Sequence, residues 1–210
     1  KSILFVTYIM VGLFVGLMGY FGYFLQVQSE TVINNSYNAR LDSFSDRIIR
    51  GEILSNDGTV LAKTNVAEDG TEVREYPYGS LFAHVVGYSD QGKTGLESLA
   101  NFYLLSSHMN LVEQAVNELS DVKNLGDQVV TTLDVGLQQA ASDALGDRRG
   151  AVVVMEPDTG KILAMVSKPG FDPNQLSSQW ESLISGDNTE AQLLNRAAQG
   201  VYPPGSTFKI

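Results

Sequence analysis

Ser206-Thr207-Phe208-Lys209 sets a hydroxyl and an amine three residues apart. On a helix such residues share a face, with Cβ atoms about 5–6 Å apart, so the amine can reach the hydroxyl. A lysine whose pKa is lowered by burial can take the serine proton and make the hydroxyl a nucleophile for acyl transfer. Pro203-Pro204-Gly205 suits a loop leading into a helix with Ser206 in its first turn, where helix-terminal N–H groups favour negative charge developing nearby. The spacing alone has little specificity. Ser120-Asp121-Val122-Lys123 repeats it in a charged helix-to-loop stretch that reads as solvated surface.

Gly87-Tyr88-Ser89-Asp90-Gln91-Gly92-Lys93-Thr94-Gly95 offers a second chemistry, because it satisfies G-x-x-x-x-G-K-T and ends in a K-T-G triplet. As a phosphate-cradling loop it would need a strand before it and a helix after it. His84-Val85-Val86-Gly87 and the run from Leu96 could supply them, with residues 152–158 as a loose acidic strand for Mg²⁺. Composition removes other options. There is no cysteine for thiol catalysis, disulfides or Cys-based zinc sites, and His84 and His108 are too far apart in sequence for a paired-His metal motif. Both histidines read as ordinary surface or satisfied core residues, and Trp180 as a packing residue.

The elements that must position these groups begin with a membrane segment. No Asp, Glu, Lys, Arg or His occurs between Ser2 and Ser29, and the run is dense in Ile, Leu, Val, Phe, Met and Gly. As a helix it would be about 40 Å long, more than the ~30 Å hydrocarbon core requires. A cleaved signal peptide has a shorter apolar core, and Gln26 to Glu30 contains no A-x-A site. Residues 1–28 are therefore expected to be an uncleaved signal anchor in the cell membrane, single-pass, with everything after it extracytoplasmic. Across the chain 14 Lys and Arg face 24 Asp and Glu, and Lys1 is the only charge before Glu30. That acidic balance argues against nucleic acid as a partner. The expected single-pass topology puts the Gly87–Gly95 loop away from the cytoplasmic ATP pool, and the flanking elements read as hairpins rather than βαβ units, so the phosphate reading is set aside.

Residues 29–41 read as a polar juxtamembrane segment. Residues 50–54 and 59–62 are short alternating runs around Asn56-Asp57-Gly58, which predicts a β-hairpin with a type I′ turn. Residues 71–88 read as irregular, leading to a short strand or helix. Helical spacing from Leu96 to Leu119, with a break near Ser106-Ser107-His108, predicts a helix or helix pair. Asp127 to Thr132 reads as a strand, and Asp134 as the N-cap of an amphipathic helix carrying Leu137, Ala140, Ala141 and Leu145. Residues 151–156 and 161–166 are apolar strands joined by Pro157-Asp158-Thr159-Gly160. Such continuous apolar runs predict burial on both faces, with helices over the sheet.

Taken in order, these elements resemble class B penicillin-binding proteins, the membrane-anchored peptidoglycan D,D-transpeptidases. Arg50-Gly51-Glu52-Ile53 through Gly58-Thr59-Val60-Leu61-Ala62 is similar to the family's R-G-x-I-x-x-x-x-G-x-x-L-A element, and Gly95-Leu96-Glu97 to its G-L-E element. Thr131 to Asp134 with Leu137-Gln138 is similar to T-x-D-x-x-L-Q. The strand pair around residues 157–160 and Asn195-Arg196-Ala197 leading to Tyr202-Pro203-Pro204-Gly205-Ser206-Thr207-Phe208-Lys209 complete the series. Each element is weak alone; five in the family's order behind an anchor are specific.

The resemblance implies an α+β chain. Residues 1–28 would be the transmembrane signal anchor, 29–147 a mixed α+β extracytoplasmic pedestal of the non-catalytic dimerisation type, and 148–210 the N-terminal part of a transpeptidase domain of serine β-lactamase-like fold. It implies Ser206 as acyl-enzyme nucleophile and Lys209 as its activating base, with Asn195 and Arg196 structural. The donor would be a D-Ala-D-Ala stem peptide of peptidoglycan, the acceptor a neighbouring stem amine, and β-lactams covalent inhibitors at Ser206. A polytopic glycan polymerase in the membrane is the implied partner, and no metal or organic cofactor is implied. In this family the K-T-G triplet lies downstream of the nucleophile, so Lys93-Thr94-Gly95 is not it; Gly95 opens the G-L-E element instead. The family's S-x-N and downstream K-T/S-G motifs do not occur after Lys209 in the 210 residues, so this stretch alone is expected neither to transpeptidate nor to bind penicillin well. Rival readings of the same residues are a class D-like β-lactamase or β-lactam sensor, and a non-catalytic cell-wall adaptor.

Overall fold

The computed structural model describes residues 2–28, 47–110, 116–117, 119–120, 122–185 and 189–209. The juxtamembrane segment expected at 29–41 lies outside them. Helix α1 (Ser2–Tyr23) continues into a wider π-type turn over Phe24–Gln28. Nearly all of its apolar side chains are exposed, and Ile3–Gln28 is long and apolar enough to cross a membrane.

The region read above as a pedestal begins, among the described residues, with two strand fragments, β1 (Ile48–Ile49) and β2 (Ile53–Leu54), followed by β3 (Val60–Val66) and β4 (Glu72–Glu75). β2 and β3 form the expected antiparallel hairpin, but its turn is not type I′. Gly58 alone among the central residues takes a positive φ (85°), while Asp57 does not. Gly58 N–H donates to Ser55 O and Ser55 N–H to Thr59 O, a tight turn closed by one left-handed glycine. The Asp57 carboxylate accepts from the Ser55 hydroxyl and the Thr59 N–H, bonds that brace the turn and hold its pKa down at about 2.

The segment 71–88 is more regular than the sequence predicts: β4, a 3₁₀ turn at Gly79–Leu81 and helix α2 (Ala83–Val86). The helical stretch after Thr94 is broken into α3 (Gly95–Leu99) and α4 (Asn101–Leu104). Residues 105–110 are not helical, and part of the predicted continuation to Leu119 lies outside the described residues. The strand expected at 127–132 shrinks to β6 (Val129–Val130), following β5 (Asn124–Leu125). The sheet order is β4-β3-β2-β6, with β6 parallel to β2, while β1 pairs in parallel with β5. Ile53, Leu61, Tyr76, Phe82, Val86, Leu104 and Leu133 fill the core beneath it.

Asp134 caps helix α5 (Val135–Leu145), its Oδ1 accepting from Leu137 N–H at 2.8 Å. α5 lies on a two-stranded antiparallel sheet, β7 (Gly150–Met155) and β8 (Ile162–Lys168), where Ala141 and Leu145 pack on Val152, Val154, Ala164 and Val166. The prediction of burial on both faces fails on β7. Val153 and Met155 alternate onto the face away from α5 and are 46% and 57% exposed. A third cluster joins this unit to the pedestal: Ala83 and Tyr88 meet Phe171, Leu176 and Leu183, the last two on helix α6 (Leu176–Ile184). Trp180 packs against it, edge-to-face with Tyr88.

Candidate active site

Ser206 and Lys209 lie at the far end of a short connection from helix α7 (Arg196–Gln199) through Tyr202-Pro203-Pro204. The helix expected around them is a single 3₁₀ turn, Gly205–Phe208. Lys209 N–H donates to Ser206 O at 3.2 Å, so the two residues are joined through the backbone across that turn. In a 3₁₀ turn positions i and i+3 eclipse, which keeps both on one side. Both are exposed.

The second S-x-x-K differs. Lys123 Nζ donates to Glu72 Oε1 at 2.6 Å, an ion pair tying the β4 edge to the β5 strand, and Ser120 is exposed. The Gly87–Gly95 loop spends its groups inwards. Ser89 N–H donates to the Tyr76 hydroxyl and Thr94 N–H to Tyr88 O, while Asp90 Oδ2 accepts from Ser177 Oγ. A phosphate there would meet a carboxylate where a phosphate loop offers amide protons. Burial pushes the Tyr76 hydroxyl up to about 12, which keeps it a neutral partner for Ser89. Among the described residues no cluster of three or more His, Asp or Glu is arranged to hold a metal.

A cleft of about 440 Å³ lies between pedestal and sheet, lined by Tyr78, Ser80, Asp147, Ser167 and Lys168 among others. Neither Ser206 nor Lys209 lines it. The Lys168 amine is held by Ser142 O (3.0 Å) and Gly146 O (2.8 Å), carbonyls at the C-terminal end of α5, where a cation is favoured.

Asn195 and Arg196 have structural contacts, as expected. Asn195 Oδ1 accepts from Ala197 N–H (3.1 Å) and Ala198 N–H (3.2 Å), capping α7, and its Nδ2 donates to His84 O at 3.1 Å. Arg196 is 3% exposed and donates to Glu190 O and Ala191 O. Ser167 Oγ donates to Leu194 O (3.1 Å) and accepts from Arg196 N–H (2.9 Å). His84 is a satisfied core residue: its Nε2 meets Gln192 O at 2.7 Å, its ring stacks edge-on to Phe171, and burial holds its pKa below 6.5. Because the carbonyl can only accept, Nε2 carries the proton. His108 is exposed beside Asp127.

The structure explains the motifs by contacts that spacing did not disclose. Arg50 of the R-G element and Glu97 of the G-L-E element form a buried ion pair, Nε to Oε2 at 2.6 Å, and Arg74 on β4 reaches the other carboxylate oxygen at 2.8 Å. Glu97 is 0% exposed. Arg50 also donates to Asn101 Oδ1 and Glu97 O, while Arg74 Nη1 donates to Gly51 O and Thr64 Oγ1. Gly51 is required by close approach: a Cβ there would sit 2.0 Å from Asp127 O. Gly95 takes φ +56°, and a Cβ would meet Val85 O at 2.7 Å. Gln138, 0% exposed, imitates a neighbouring strand for β8: Oε1 accepts from Met165 N–H (2.8 Å), and Nε2 donates to Met165 O (2.9 Å) and Leu81 O (2.8 Å). A charge of each sign inside otherwise apolar or glycine-containing motifs was the signal that could have pointed to the Arg50–Glu97 pair.

Two family profiles cover most of this architecture: residues 50–129 match "Penicillin binding protein A dimerisation domain" and residues 150–210 match "Penicillin binding protein transpeptidase domain". Among curated relatives, the peptidoglycan D,D-transpeptidase PbpA of Mycolicibacterium smegmatis is 39% identical over 188 residues, covering 81% of this chain and 37% of the relative. The peptidoglycan D,D-transpeptidase MrdA of Escherichia coli is 35% identical over 176 residues, 67% of this chain and 28% of that protein. The chain thus spans about a third of the length of the relatives it matches. Penicillin-binding protein A of M. tuberculosis, solved as an imipenem acyl-enzyme complex, superposes with TM-score 0.67 at 36% identity, covering 76% of this chain and 40% of that one. The D,D-transpeptidase domain of an Eggerthella lenta peptidoglycan glycosyltransferase gives 0.64 at 42% identity, covering 78% and 35%. The α+β fold and the ordered motifs therefore define a penicillin-binding protein. The chain belongs to the class B branch of that family, with the PbpA and MrdA D,D-transpeptidases among its relatives.

Proposed function

We propose that the protein is a peptidoglycan D,D-transpeptidase that cross-links stem peptides through an acyl-enzyme on Ser206. The observation that carries this reading is the Ser206–Lys209 turn, joined at one end of the region similar to the transpeptidase domain and set on the exposed side of its connecting loop. Ser206 Oγ would attack the penultimate D-Ala carbonyl of a donor stem while Lys209 takes its proton. The bond to the terminal D-Ala breaks, that residue leaves with a proton on its amine, and a neighbouring stem amine then displaces Ser206. A β-lactam would acylate Ser206 by opening its ring, giving an adduct of the kind named for the M. tuberculosis protein. In this reading the chain is anchored by α1 with the remainder outside the cytoplasm, residues 29–147 form the pedestal and 148–210 the start of the catalytic domain, and a polytopic glycan polymerase works beside the anchor. Residues 1–210 alone would be inactive, because the S-x-N and K-T/S-G motifs that the resemblance places after the nucleophile are not among them.

The test is labelling of the native polypeptide with a fluorescent penicillin. Stable labelling that Ser206→Ala abolishes supports the transpeptidase. Rapid loss of the label as hydrolysed drug would indicate a β-lactamase, and no labelling at all would favour a non-catalytic adaptor.

A further inference from the structure

The segment that leads into the Ser206 turn is fastened at three points before it reaches the site. On the pedestal side, the His84 ring donates to Gln192 O and the His84 carbonyl accepts from Asn195 Nδ2. On the sheet side, the Ser167 hydroxyl grips the chain on both sides of Asn195, donating to Leu194 O and accepting from Arg196 N–H. Asn195 itself caps α7 through Oδ1. Its carboxamide therefore has two separable tasks: the oxygen starts the helix, and the nitrogen ties that helix to the His84 carbonyl at 3.1 Å, with a longer contact to Met165 Sδ on β8 at 3.7 Å.

From α7 the route to Ser206 is short, and although its side chains from Val201 onward are exposed, its backbone is restricted. A Cβ at Gly200 would sit 2.4 Å from Arg196 O and 2.5 Å from the Tyr202 ring, and Pro203 and Pro204 restrict the backbone that follows. A displacement at Asn195 has few soft residues in which to dissipate before Ser206. His84, by contrast, belongs to α2, whose neighbours Phe82 and Val86 lie in the pedestal core. This is a continuous set of contacts from a non-catalytic domain to the segment bearing the proposed nucleophile.

We infer that Asn195 is a positioning residue through which the pedestal, by way of the His84 carbonyl, sets the placement of Ser206 for acylation. The inference rests on the reading of Ser206 as nucleophile. Asn195→Asp separates the two tasks of the carboxamide. A carboxylate keeps the acceptor that caps α7, since Asp is as good an N-cap as Asn, but it has no donor for His84 O. Helix α7 should persist while its tie to the pedestal is lost.

The experiment is stopped-flow acylation of the native full-length protein by a fluorescent penicillin, resolving the initial binding constant, the acylation rate constant and the labelled amplitude. For Asn195→Asp the expected result is a roughly 10- to 100-fold slower acylation step, the scale on which misplacement of a reacting group acts. Binding constant, final amplitude and thermal midpoint should stay near the parent values. A purely structural role would instead lower the amplitude and midpoint and leave the rate of the folded fraction unchanged, which overturns the inference. If Asn195→Asp does not fold, Asn195→Ser, which keeps a side-chain oxygen to cap α7 and has no amide donor for His84 O, carries the same expectation for rate and amplitude. Ser206→Ala is the control for the underlying reading. If it still labels, the nucleophile assignment is wrong; if it does not label and Asn195→Asp acylates at the parent rate, the positioning role alone is wrong.

Discussion

The Arg50–Glu97–Arg74 cluster and the Ser206–Lys209 turn are the two places where this chain concentrates charge or reactivity in a family motif, and they are built in opposite ways. At Glu97 the groups are buried, the carboxylate is shared between two guanidiniums, and glycines let the backbones of residues 51 and 127 approach closely. Around Ser206 the side chains are exposed, and side-chain hydrogen bonds fasten the chain upstream of the turn, at Asn195 and Arg196. A buried charge cluster fixes a fold at the cost of leaving no freedom for chemistry. A nucleophile needs an accessible surface and must borrow its position from elsewhere.

That contrast is broken most directly at Glu97. Glu97→Gln keeps the volume but leaves two buried guanidiniums without a counter-charge, and removing one partner of a buried pair costs about 3–5 kcal/mol. Urea unfolding of detergent-solubilised protein should register a loss of that order; a loss below about 1 kcal/mol would mean that the cluster does not hold the pedestal. Gln138→Leu comes next. It strands the N–H and carbonyl of Met165 and the carbonyl of Leu81, and should cost about 3 kcal/mol, since each of these part-buried groups carries about 1 kcal/mol, the low end of the range for an unpaired buried group. Hydrogen exchange should show the Met165 amide losing protection. Asp134→Ala removes only the cap of α5, for about 1 kcal/mol, and should leave penicillin labelling unchanged.

The smallest effect expected is pH-dependent and sharpens the comparison at the junction. Burial, the first cause, holds the His84 pKa below its ordinary 6.5, so the unfolded chain binds a proton that the folded chain does not. Stability should therefore be fully present above about pH 6.5 and fall as pH drops below it, until the folded-state pKa is reached. Replacing His84 with Gln should flatten that part of the pH–stability profile; an unchanged slope would show that another group is responsible.

Much of this architecture was legible from the sequence for physical reasons that act locally. The uncharged run to Ser29, the Asp57-Gly58 hairpin, the Asp134 cap and the β7–β8 pair each follow from hydropathy, turn chemistry or capping within a few residues. The type I′ expectation failed at Asp57, which takes no positive φ and whose carboxylate braces the turn. Burial of β7 on both faces failed because apolar composition reports what a strand can bury: the short helix α7 reaches β7, yet Val153 and Met155 stay exposed. Arg50 with Glu97, Gln138 with Met165, and Asn195 with His84 are 47, 27 and 111 residues apart. No local pattern encodes such pairings, so the motifs were visible as letters while their function as contacts was not.

The central claim, that Ser206 is the acyl-enzyme nucleophile, is tested most directly by peptide-mapping mass spectrometry of the native protein after reaction with benzylpenicillin. The account predicts one added penicilloyl group, located on Ser206 and absent from Ser206→Ala. An adduct on any other residue, or an unmodified Ser206 in protein that is folded and exposed to excess drug, would contradict it.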